Sequence, residues 1–436
     1  MGKYIHEIRD PIHNFIHLDS HERKVLDSRP FQRLRYIHQL GLTYLLYPGA
    51  THRRFEHSLG VMELAGRVYD IITNPLNINH SSVEEVVPIH DKYEIQYWRR
   101  VLRMAALCHD MGHLPFSHSA EKELLPDGWD HERFTLDIIN SDEMESIWDE
   151  IKIKSDDVAK LAVGPKKYKN VNFTDWEAIL SEIITGNSFG VDRMDYLLRD
   201  SHHAGVAYGK FDHYRLIDTI RILPKDEDGS VEPVLGIEEG GLHSAEGLLL
   251  ARYFMYTQLY FHSIRRIYDV HLKDFLKEWL SSGYFHTTLL DHLQLTDNEI
   301  LVELFKAAGD DNRTGYDPAR RIVNRDHFKL LYQRNPRDIE INPDAANAIY
   351  EAACDEFGEE NVRLDSYKQR SNGHEFPVLA EDNRIIQSLE LSETLKNVPI
   401  VAIDYVFINP ECRHDGEKWK KQNLEKIIMF KKEEQS

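Results

Sequence analysis

Apolar residues recur at helical spacing through most of the first two thirds of the chain. Two stripes show the pattern, Val61, Leu64, Ala65, Val68 and Ile72, and then Ile179, Leu180, Ile183 and Ile184. Residues three and four apart share one face of an α-helix, so this period indicates helices that bury one side. Alternating strand patterns are scarce over the same stretch. The sequence therefore predicts a mainly α protein built as a helical bundle.

Strand patterns are found at two places. Segments 219–223 and 234–237 flank the polar turn 225–229, which predicts a small β-hairpin on the surface of the helical body. The run 398–407 has the β-branched and aromatic content of a buried strand. We therefore expect a helical domain over residues 1–285 and a smaller mixed α/β region over residues 286–436.

The charge and the cysteines of the chain restrict its partners and its compartment. The formal net charge is -20, whereas proteins that coat duplex DNA or anionic membranes carry clustered Lys and Arg. The cysteines, Cys108, Cys354 and Cys412, form no C-x-x-C pair, which disfavours a disulfide framework or a structural zinc site. No stretch approaches the roughly 20 apolar residues that span a bilayer. We expect a soluble cytoplasmic protein that binds neither duplex nucleic acid nor a membrane.

The densest cluster of metal-binding residue types begins at His109-Asp110, directly after the apolar helical run 101–108. A vicinal His-Asp pair supplies one nitrogen and one anionic oxygen, a mixture that suits Mn, Fe, Ni, Zn or Mg. His57 begins the helix whose apolar face starts at Val61, and Asp192 begins another helix after a glycine. If these helices converge, the side chains form a His/His/Asp/Asp site with open positions for water and substrate.

The same stretch also contains the histidine spacing of a different metal motif. His109 and His113 stand four residues apart, as do the two histidines of zinc peptidases, but that motif requires Glu at the second position as general base. This chain has Asp110 there. We therefore expect His113 to contact phosphate or to support the metal ligands.

Several longer motifs carry a family resemblance. They occur in this order: Asp10-Pro11-Ile12-His13, Phe31-Gln32-Arg33-Leu34-Arg35, Gln39-Leu40-Gly41, Arg54-Phe55-Glu56-His57-Ser58, His109-Asp110-x-Gly112-His113-x-Pro115-Phe116-Ser117-His118 and Asp192-Arg193-Met194-Asp195-Tyr196-x-x-Arg199-Asp200-x-His202-His203. The series resembles the HD-domain deoxynucleoside triphosphate triphosphohydrolases, which include bacterial dGTPase-like proteins and the catalytic core of the sterile-alpha-motif-and-HD enzyme. The resemblance covers residues 4–270 and implies an HD-domain helical bundle.

The resemblance implies hydrolysis of a dNTP to deoxynucleoside and inorganic triphosphate, with metal-activated water attacking the α-phosphorus. It assigns a divalent metal, of the kinds named above, to His57, His109, Asp110 and Asp192, and a Mg ion to the substrate phosphates. The matching catalytic residues are His118, Glu121 and His131, with Glu121 three residues after the imidazole that it would orient. Arg54 and Arg193 match phosphate-binding positions, although the family usually carries Lys at the second.

Sugar and base selection are also implied by the resemblance. Tyr196 matches the tyrosine that excludes a ribose 2′-hydroxyl, and Gln39 and Asp200 match the residues that bind the 3′-hydroxyl. Tyr268 matches a tyrosine near the base, but Asp269 stands where the family enzyme carries a neutral amide. A deoxyribose substrate is therefore expected, with dGTP favoured.

The resemblance extends to regulation. Asp27, Gln32 and Arg35 match residues by which the family binds an activating guanine nucleotide between subunits. We therefore expect an allosteric nucleotide and a homo-oligomer, either a dimer or a tetramer. Related enzymes limit viral replication by consuming dNTPs, so a role in antiviral defence is conceivable.

Two other function classes remain open at this point. An HD phosphodiesterase or phosphatase acting on mononucleotides or oligonucleotides would use the same metal ligands, but it would not need both Arg54 and Arg193. A non-catalytic nucleotide sensor would need metal and phosphate contacts but no proton donor. His118, Glu121 and His131 therefore favour an enzyme over a sensor.

Overall fold

Helices dominate the computed structural model of the chain, which describes residues 6–117, 121, 123–227, 230–369 and 375–429. The described part of the chain is 59% helical, which confirms the predicted mainly α class. None of the helices in the described part combines the length and the hydrophobicity that a membrane-spanning helix requires.

The described α-helices are α1 Ser20–Asp27, α2 Arg29–Arg33, α3 Arg54–Ile72, α4 Ser81–Glu84, α5 Lys92–Cys108, α6 His131–Ile139, α7 Asp142–Ile151, α8 Ser155–Val163, α9 Asp175–Thr185, α10 Val191–Ala204, α11 His213–Thr219, α12 Leu242–Met255, α13 Ser263–Trp279, α14 Leu289–Gln294, α15 Asp297–Ala308, α16 Tyr316–Val323, α17 Pro336–Ile341, α18 Ala345–Phe357, α19 Ser388–Leu391, α20 Glu393–Asn397 and α21 Arg413–Met429. Short 3-10 turns lie at Leu34–Tyr36, Gly41–Leu45, Pro75–Asn77, Glu239–Gly241, Glu359–Asn361 and Pro410–Cys412, and a π-helical turn lies at Tyr256–Tyr260.

The strands are β1 His6–Asp10, β2 Asn14–Leu18, β3 Ile220–Glu227, β4 Ser230–Glu238, β5 Lys329–Gln333, β6 Val362–Lys368, β7 Pro377–Leu379, β8 Ile385–Gln387 and β9 Ala402–Ile408. They form three sheets, the antiparallel pair β1-β2, a sheet of order β3-β4-β7-β8 and a sheet of order β5-β9-β6. The predicted hairpin is confirmed as β3-β4. It is not an isolated excursion, because β4 also pairs in parallel with β7.

Two compact units form, each from discontinuous segments. The first comprises the described parts of Met1–Met255, His286–Asn298 and Asn372–Pro399, and the second those of Tyr256–Phe285, Glu299–Ser371 and Ile400–Ser436. Each unit therefore draws on chain from both sides of residue 285. The division into an HD domain over 1–285 and a C-terminal region over 286–436 stays a prediction.

The second unit contains the predicted C-terminal α/β structure. Strand β9 is its central strand, and β5 and β6 pair antiparallel on either side. Side chains of the sheet pack against α18 and α21 in one buried cluster, which includes Leu331, Ile349, Val406 and Ile428. The buried strand that the sequence predicts at residues 398–407 is thus confirmed, with observed bounds Ala402–Ile408.

In the first unit, α3, α5 and α10 provide the frame of the candidate site. Helix α3 buries the predicted stripe from Val61 to Ile72, and the last two turns of α5, from Val101 to Cys108, are entirely buried. Because this stretch is buried on all sides, the helix ends in the interior of the unit. The residues after Cys108 therefore face partners from other helices.

Candidate metal centre

His109 and Asp110 lie at the buried C-terminal end of α5. The Nδ1 of His109 donates a hydrogen bond to the carbonyl oxygen of Ala106 at 2.8 Å. A carbonyl can only accept, so this bond fixes Nδ1 as the protonated nitrogen and leaves the lone pair on Nε2. That Nε2 is buried and has no hydrogen-bond partner among the residues that the structure describes. An orphaned imidazole nitrogen in a buried site is what a metal ligand requires.

His57 and Asp192 converge on the same point from α3 and α10. His57 Nε2 lies 3.0 Å from Asp192 Oδ1 and 3.7 Å from Asp110 Oδ2. His109 Nε2 lies 3.3 Å from Asp110 Oδ1 and 3.6 Å from Asp192 Oδ1. Ligand atoms of His57, His109 and Asp110 all lie within 4.8 Å of one another. The structure therefore brings together all four predicted ligands.

The two carboxylates of this cluster stay ionised. Burial would raise the pKa of Asp110, but the neighbouring His109 and Arg54 outweigh that effect and hold its pKa well below the usual range. For Asp192, the neighbouring His109 and the hydrogen bond with His57 likewise outweigh burial and lower the pKa. The buried Asp110 and the partly exposed Asp192 thus place two anions next to two imidazoles, and this mixed nitrogen and oxygen donor set fits a divalent cation.

A second group of side chains lies beside this cluster. Glu121 Oε1 accepts a hydrogen bond from the backbone N–H of His131 at 2.7 Å and from its Nδ1 at 2.5 Å. The ring of His113 stacks on that of His131, with centroids 4.0 Å apart, and His113 Nε2 lies 3.3 Å from Asp110 Oδ1. The stack therefore connects the metal cluster with a Glu–His pair. His118 lies outside the described residues, and its role stays a prediction.

The environment separates the protonation of these two histidines. Burial lowers the pKa of His131, but the hydrogen bond with Glu121 outweighs burial and raises it above the ordinary value. Burial and the charge of Arg54 hold the pKa of His113 well below its ordinary value. The stack therefore places His131, whose surroundings favour the protonated form, next to His113, whose surroundings favour the neutral form.

Gly112 explains why α6 can lie so close to the metal cluster. A Cβ at this position would stand 2.1 Å from the carbonyl oxygen of His131. Thr135 Oγ1 donates to the carbonyl of His109 at 3.2 Å and accepts from the N–H of Gly112 at 3.1 Å. Only glycine permits this approach, which fixes His131 beside the metal ligands.

Of the two predicted phosphate ligands, Arg54 lies in the cluster. It forms an ion pair with Asp110, and its Nε donates to Ser117 Oγ at 2.8 Å. Arg193 instead directs NH1 to the carbonyl oxygens of Gly186 and Asn187 in the segment that precedes α10. Because these partners are backbone carbonyls, Arg193 can turn towards a phosphate more readily than Arg54, which is held in a buried ion pair.

The segment between His113 and His118 contains an unusual conformation that the sequence did not reveal. Phe116 and Ser117 have φ angles of 56° and 57°, which non-glycine residues seldom adopt. Asp297 Oδ1 accepts from the N–H of Phe116 at 2.8 Å, while its Oδ2 binds His38 Nδ1 at 2.6 Å. The carboxylate of Asp297 therefore fixes the segment that presents Ser117 to Arg54.

The predicted sugar-binding residues lie along α10 and in the turn after Ile37. Asp200 Oδ1 accepts from His52 Nε2 at 2.7 Å, and the ring of His203 stacks on His52 at 4.5 Å. Gln39 donates its backbone N–H to the carbonyl of His52 at 3.1 Å, and its side-chain Oε1 is buried without a hydrogen-bond partner in the described part of the chain. The half-buried Tyr196 lies one helical turn from both Asp192 and Asp200.

The remaining predicted residues lie elsewhere. Tyr268 belongs to the second unit, where its buried ring lies 5.1 Å from that of His327. Asp27 is exposed and accepts from Arg23 Nε at 2.6 Å. Gln32 Nε2 donates to the carbonyl of Leu26 at 2.7 Å and Gln32 Oε1 accepts from Arg35 Nε at 2.8 Å, so these two side chains are linked to each other.

Known proteins are similar to this chain over the segments that contain these residues. A family model for the HD domain matches residues 54–198, and one for an HD associated region matches residues 211–362. The uncharacterized protein YwfO of Bacillus subtilis is 34% identical over 390 residues, which cover 85% of this chain and 80% of that protein. A solved structure of a hypothetical protein from Aquifex aeolicus has a TM-score of 0.76 and 32% identity, and the match covers 95% of this chain and 99% of that one.

A relative of named activity is also similar. Deoxynucleoside triphosphate triphosphohydrolase SAMHD1 of Homo sapiens is 29% identical over 365 residues, which cover 76% of this chain and 55% of that protein. The match thus spans little more than half of the length of SAMHD1, and the similarity reaches well beyond the HD domain of this chain.

Proposed function

The chain belongs to the HD-domain family, and from that premise we propose that it is a metal-dependent hydrolase that converts a dNTP to deoxynucleoside and inorganic triphosphate, with dGTP favoured. One observation carries the proposal. A predicted metal-ligand set and a Glu–His pair meet at the carboxylate of Asp110, through the stacked ring of His113. A cation site next to a proton-carrying imidazole suits hydrolysis of a phosphate ester.

The proposed roles follow from where charge and protons are needed. A divalent metal held by His57, His109, Asp110 and Asp192 would act as a Lewis acid and make bound water more acidic. Arg54, already beside Asp110, neutralises phosphate oxygens. We propose His118 as the proton donor to the departing 5′-oxygen. The His131–Glu121 pair would be a second group that can carry a proton.

The sugar subsite deepens the proposal. The buried, unpartnered Oε1 of Gln39 and the carboxylate of Asp200 are acceptors for a 3′-hydroxyl proton, and the ring of Tyr196 occupies the same face of α10. An unsatisfied buried acceptor costs free energy until a ligand donates to it. We propose Tyr268 as the residue near the base, Asp27, Gln32 and Arg35 as contacts of an activating nucleotide, and a homo-oligomer as the active form.

The decisive experiment identifies the products. Purified protein is incubated with each dNTP and with GTP, in Mg²⁺ or Mn²⁺, singly and in mixtures, and the products are separated by ion exchange. We expect deoxynucleoside and intact triphosphate, and in H₂¹⁸O we expect the label only in triphosphate, because water attacks phosphorus. Consumption of mononucleotides or oligonucleotides instead would favour the phosphodiesterase alternative, and no consumption of any nucleotide would favour a sensor.

The Glu121–His131 pair predicts a pH effect. Because Glu121 raises the pKa of His131, the imidazolium persists to higher pH than in a free histidine. Glu121→Gln removes that cause, so the pKa falls and the proton is lost at lower pH. We therefore expect the alkaline limb of the kcat profile to move to lower pH, with a larger loss of kcat at pH 8 than at pH 6.

A neighbouring carboxylate supplies the control. Glu132 Oε2 lies 3.2 Å from the same Nδ1, and its effect on the pKa of His131 is smaller than that of Glu121. Glu132→Gln is therefore expected to move the alkaline limb less. Superimposable profiles for Glu121→Gln and the wild type would show that this pair carries no proton in the reaction.

The buried His52–Asp200 hydrogen bond predicts a sugar effect. His52→Phe removes the donor that orients the Asp200 carboxylate, and loss of a bond to a charged group is expected to raise KM for dGTP about tenfold. With 2′,3′-dideoxyguanosine triphosphate, which has no 3′-hydroxyl, the variant and the wild type should have similar KM values. His203→Phe retains the His52–Asp200 bond and serves as control. An equal rise in KM for both nucleotides would contradict the role.

A further inference from the structure

Four residues of the family motifs have no role in the proposed function, and they meet behind the metal cluster. Asp10 is the last residue of β1, His13 belongs to the turn between β1 and β2, and Asp195 and Arg199 belong to α10. We propose that Asp195 is the positioning carboxylate of the metal ligand His57, and that this turn and Arg199 hold Asp195 in place. The inference rests on the metal centre of the proposed function.

The contacts of Asp195 account for all its acceptor positions. Its Oδ2 accepts from His57 Nδ1 at 2.8 Å and from Arg199 Nε at 2.8 Å. Its Oδ1 accepts from His13 Nε2 at 2.7 Å and from Arg199 NH2 at 2.9 Å. The residue is 0% exposed, so these donors replace water completely. These donors fix the orientation of the Asp195 carboxylate. The carboxylate in turn fixes the orientation of the His57 ring that it binds.

That bond decides which nitrogen of His57 is available to a cation. An ionised carboxylate only accepts, so the bond to Asp195 keeps a proton on His57 Nδ1. Nε2, which faces Asp192 and Asp110, is then the nitrogen at which a cation would take the place of a proton. Partners of this kind fix the plane of a ligating imidazole and raise its basicity, and their loss typically weakens metal binding about 10- to 100-fold.

The turn between β1 and β2 completes the arrangement. Arg199 NH1 donates to Asp10 Oδ2 at 2.8 Å, and Asp10 Oδ1 accepts from the N–H groups of Ile12 and His13 at 2.9 and 2.8 Å. Arg199 is 0% exposed, and among the described residues its charge is balanced by the carboxylates of Asp10 and Asp195. A buried charge that loses its partner is strongly destabilised, so the turn and Asp195 depend on each other.

Gly60 shows how closely α3 approaches this network. A Cβ at Gly60 would stand 1.8 Å from Asp195 Oδ1 and 2.5 Å from Arg199 NH2. The carboxylate is the part of Asp195 that would have to move, and it is also the part that binds His57. Gly60→Ala is therefore a way to displace Asp195 without changing any charge.

The experiment measures metal affinity without any substrate. Metal-free protein is titrated with Mn²⁺, and the free ion is followed by electron paramagnetic resonance. We expect Asp195→Asn to weaken Mn²⁺ binding about 10- to 100-fold, and Gly60→Ala to weaken it in the same direction. Circular dichroism and thermal unfolding show whether each variant is folded. If Asp195→Asn does not fold, Gly60→Ala and His13→Phe, which removes one donor to Asp195, test the same role.

Gly66→Ala is the matched control. Gly66 lies on the same helix, and a Cβ there would stand 2.8 Å from Arg103 NH1, whose buried ion pair is with Glu22. This variant disturbs a buried ion pair away from His57, so we expect lower stability with Mn²⁺ affinity within about twofold of the wild type.

The outcomes separate this inference from the proposed function. Wild-type Mn²⁺ affinity in Asp195→Asn and Gly60→Ala would overturn the role of Asp195. Equal weakening in Gly66→Ala would overturn it too, because the effect would then follow from lost stability alone. A wild type that binds Mn²⁺ but hydrolyses no dNTP would refute the proposed activity and leave the role of Asp195 standing.

Discussion

Asp110→Ala combined with Asp192→Ala is expected to reduce bound divalent metal to background and to lower dNTP hydrolysis about a thousandfold or more. Both carboxylates face the nitrogen atoms of His57 and His109, and their lowered pKa values keep them anionic at neutral pH. Two imidazoles alone supply no negative charge and too few donors for a catalytic divalent cation. Elemental analysis of the purified variant measures the first effect, and product chromatography measures the second.

The control for this prediction lies on the same helix. Asp200 is buried on α10 two turns beyond Asp192, but it binds His52 and not the metal ligands. Asp200→Ala should therefore retain metal while its KM for dNTP rises. Asp192→Ala alone is the gentler test of the ligand set, because this side chain is 35% exposed and removing it leaves the Arg54–Asp110 ion pair intact. Unchanged metal content in the double variant would refute the ligand assignment.

Tyr196→Ala is expected to admit ribonucleotides. We propose that the phenol ring occupies the space beside the 2′-carbon, so that a ribose 2′-hydroxyl has no room. Removing the ring should reduce discrimination between dGTP and GTP, measured as the ratio of the kcat/KM values, by about 100-fold. Most of the change should come from better use of GTP, although dGTP will also lose packing against the ring.

Tyr196→Phe separates the volume of this side chain from its hydroxyl. The ring remains, so the steric hypothesis expects discrimination close to that of the wild type. If Tyr196→Phe admitted GTP as well as Tyr196→Ala does, a hydrogen bond of the hydroxyl would be responsible. If neither variant changed the ratio, Tyr196 would not select the sugar at all.

Local sequence patterns predicted much of the fold and of the cluster. The stripe from Val61 to Ile72 belongs to α3, the run before His109 belongs to α5, and the hairpin and the strand near Val401 are present. Family membership is confirmed as well. His109 and Asp110 are adjacent in sequence, and His57 and Asp192 begin recognisable helices. Such residues can be found because the features that mark them lie within one helix.

Residues that act across the fold were not predictable in the same way. Asp297 binds Phe116 across 181 residues, and Asp195 binds His57 across 138. An isolated carboxylate has no pattern that names its distant partner, so only the packing reveals it. The spacing of Glu121 and His118 suggested a local pair, which stays a prediction because His118 lies outside the described residues; the bond of Glu121 to His131, ten residues on, was not foreseen. Strands β1 and β2 were missed because five residues with mixed polarity give little periodicity.

The first unit is assembled from segments that are far apart in the chain, and this constrains when it can fold during synthesis. Strand β7 pairs with β4, and Asp297 binds His38 and Phe116, yet both arrive long after the HD segment in the order of synthesis. A nascent chain that has emerged only as far as residue 285 lacks these partners and leaves buried backbone groups near the active site unsatisfied. Completion of this unit therefore requires synthesis of the segment ending at Pro399, so the candidate site cannot be fully supported while only the HD segment has been synthesised.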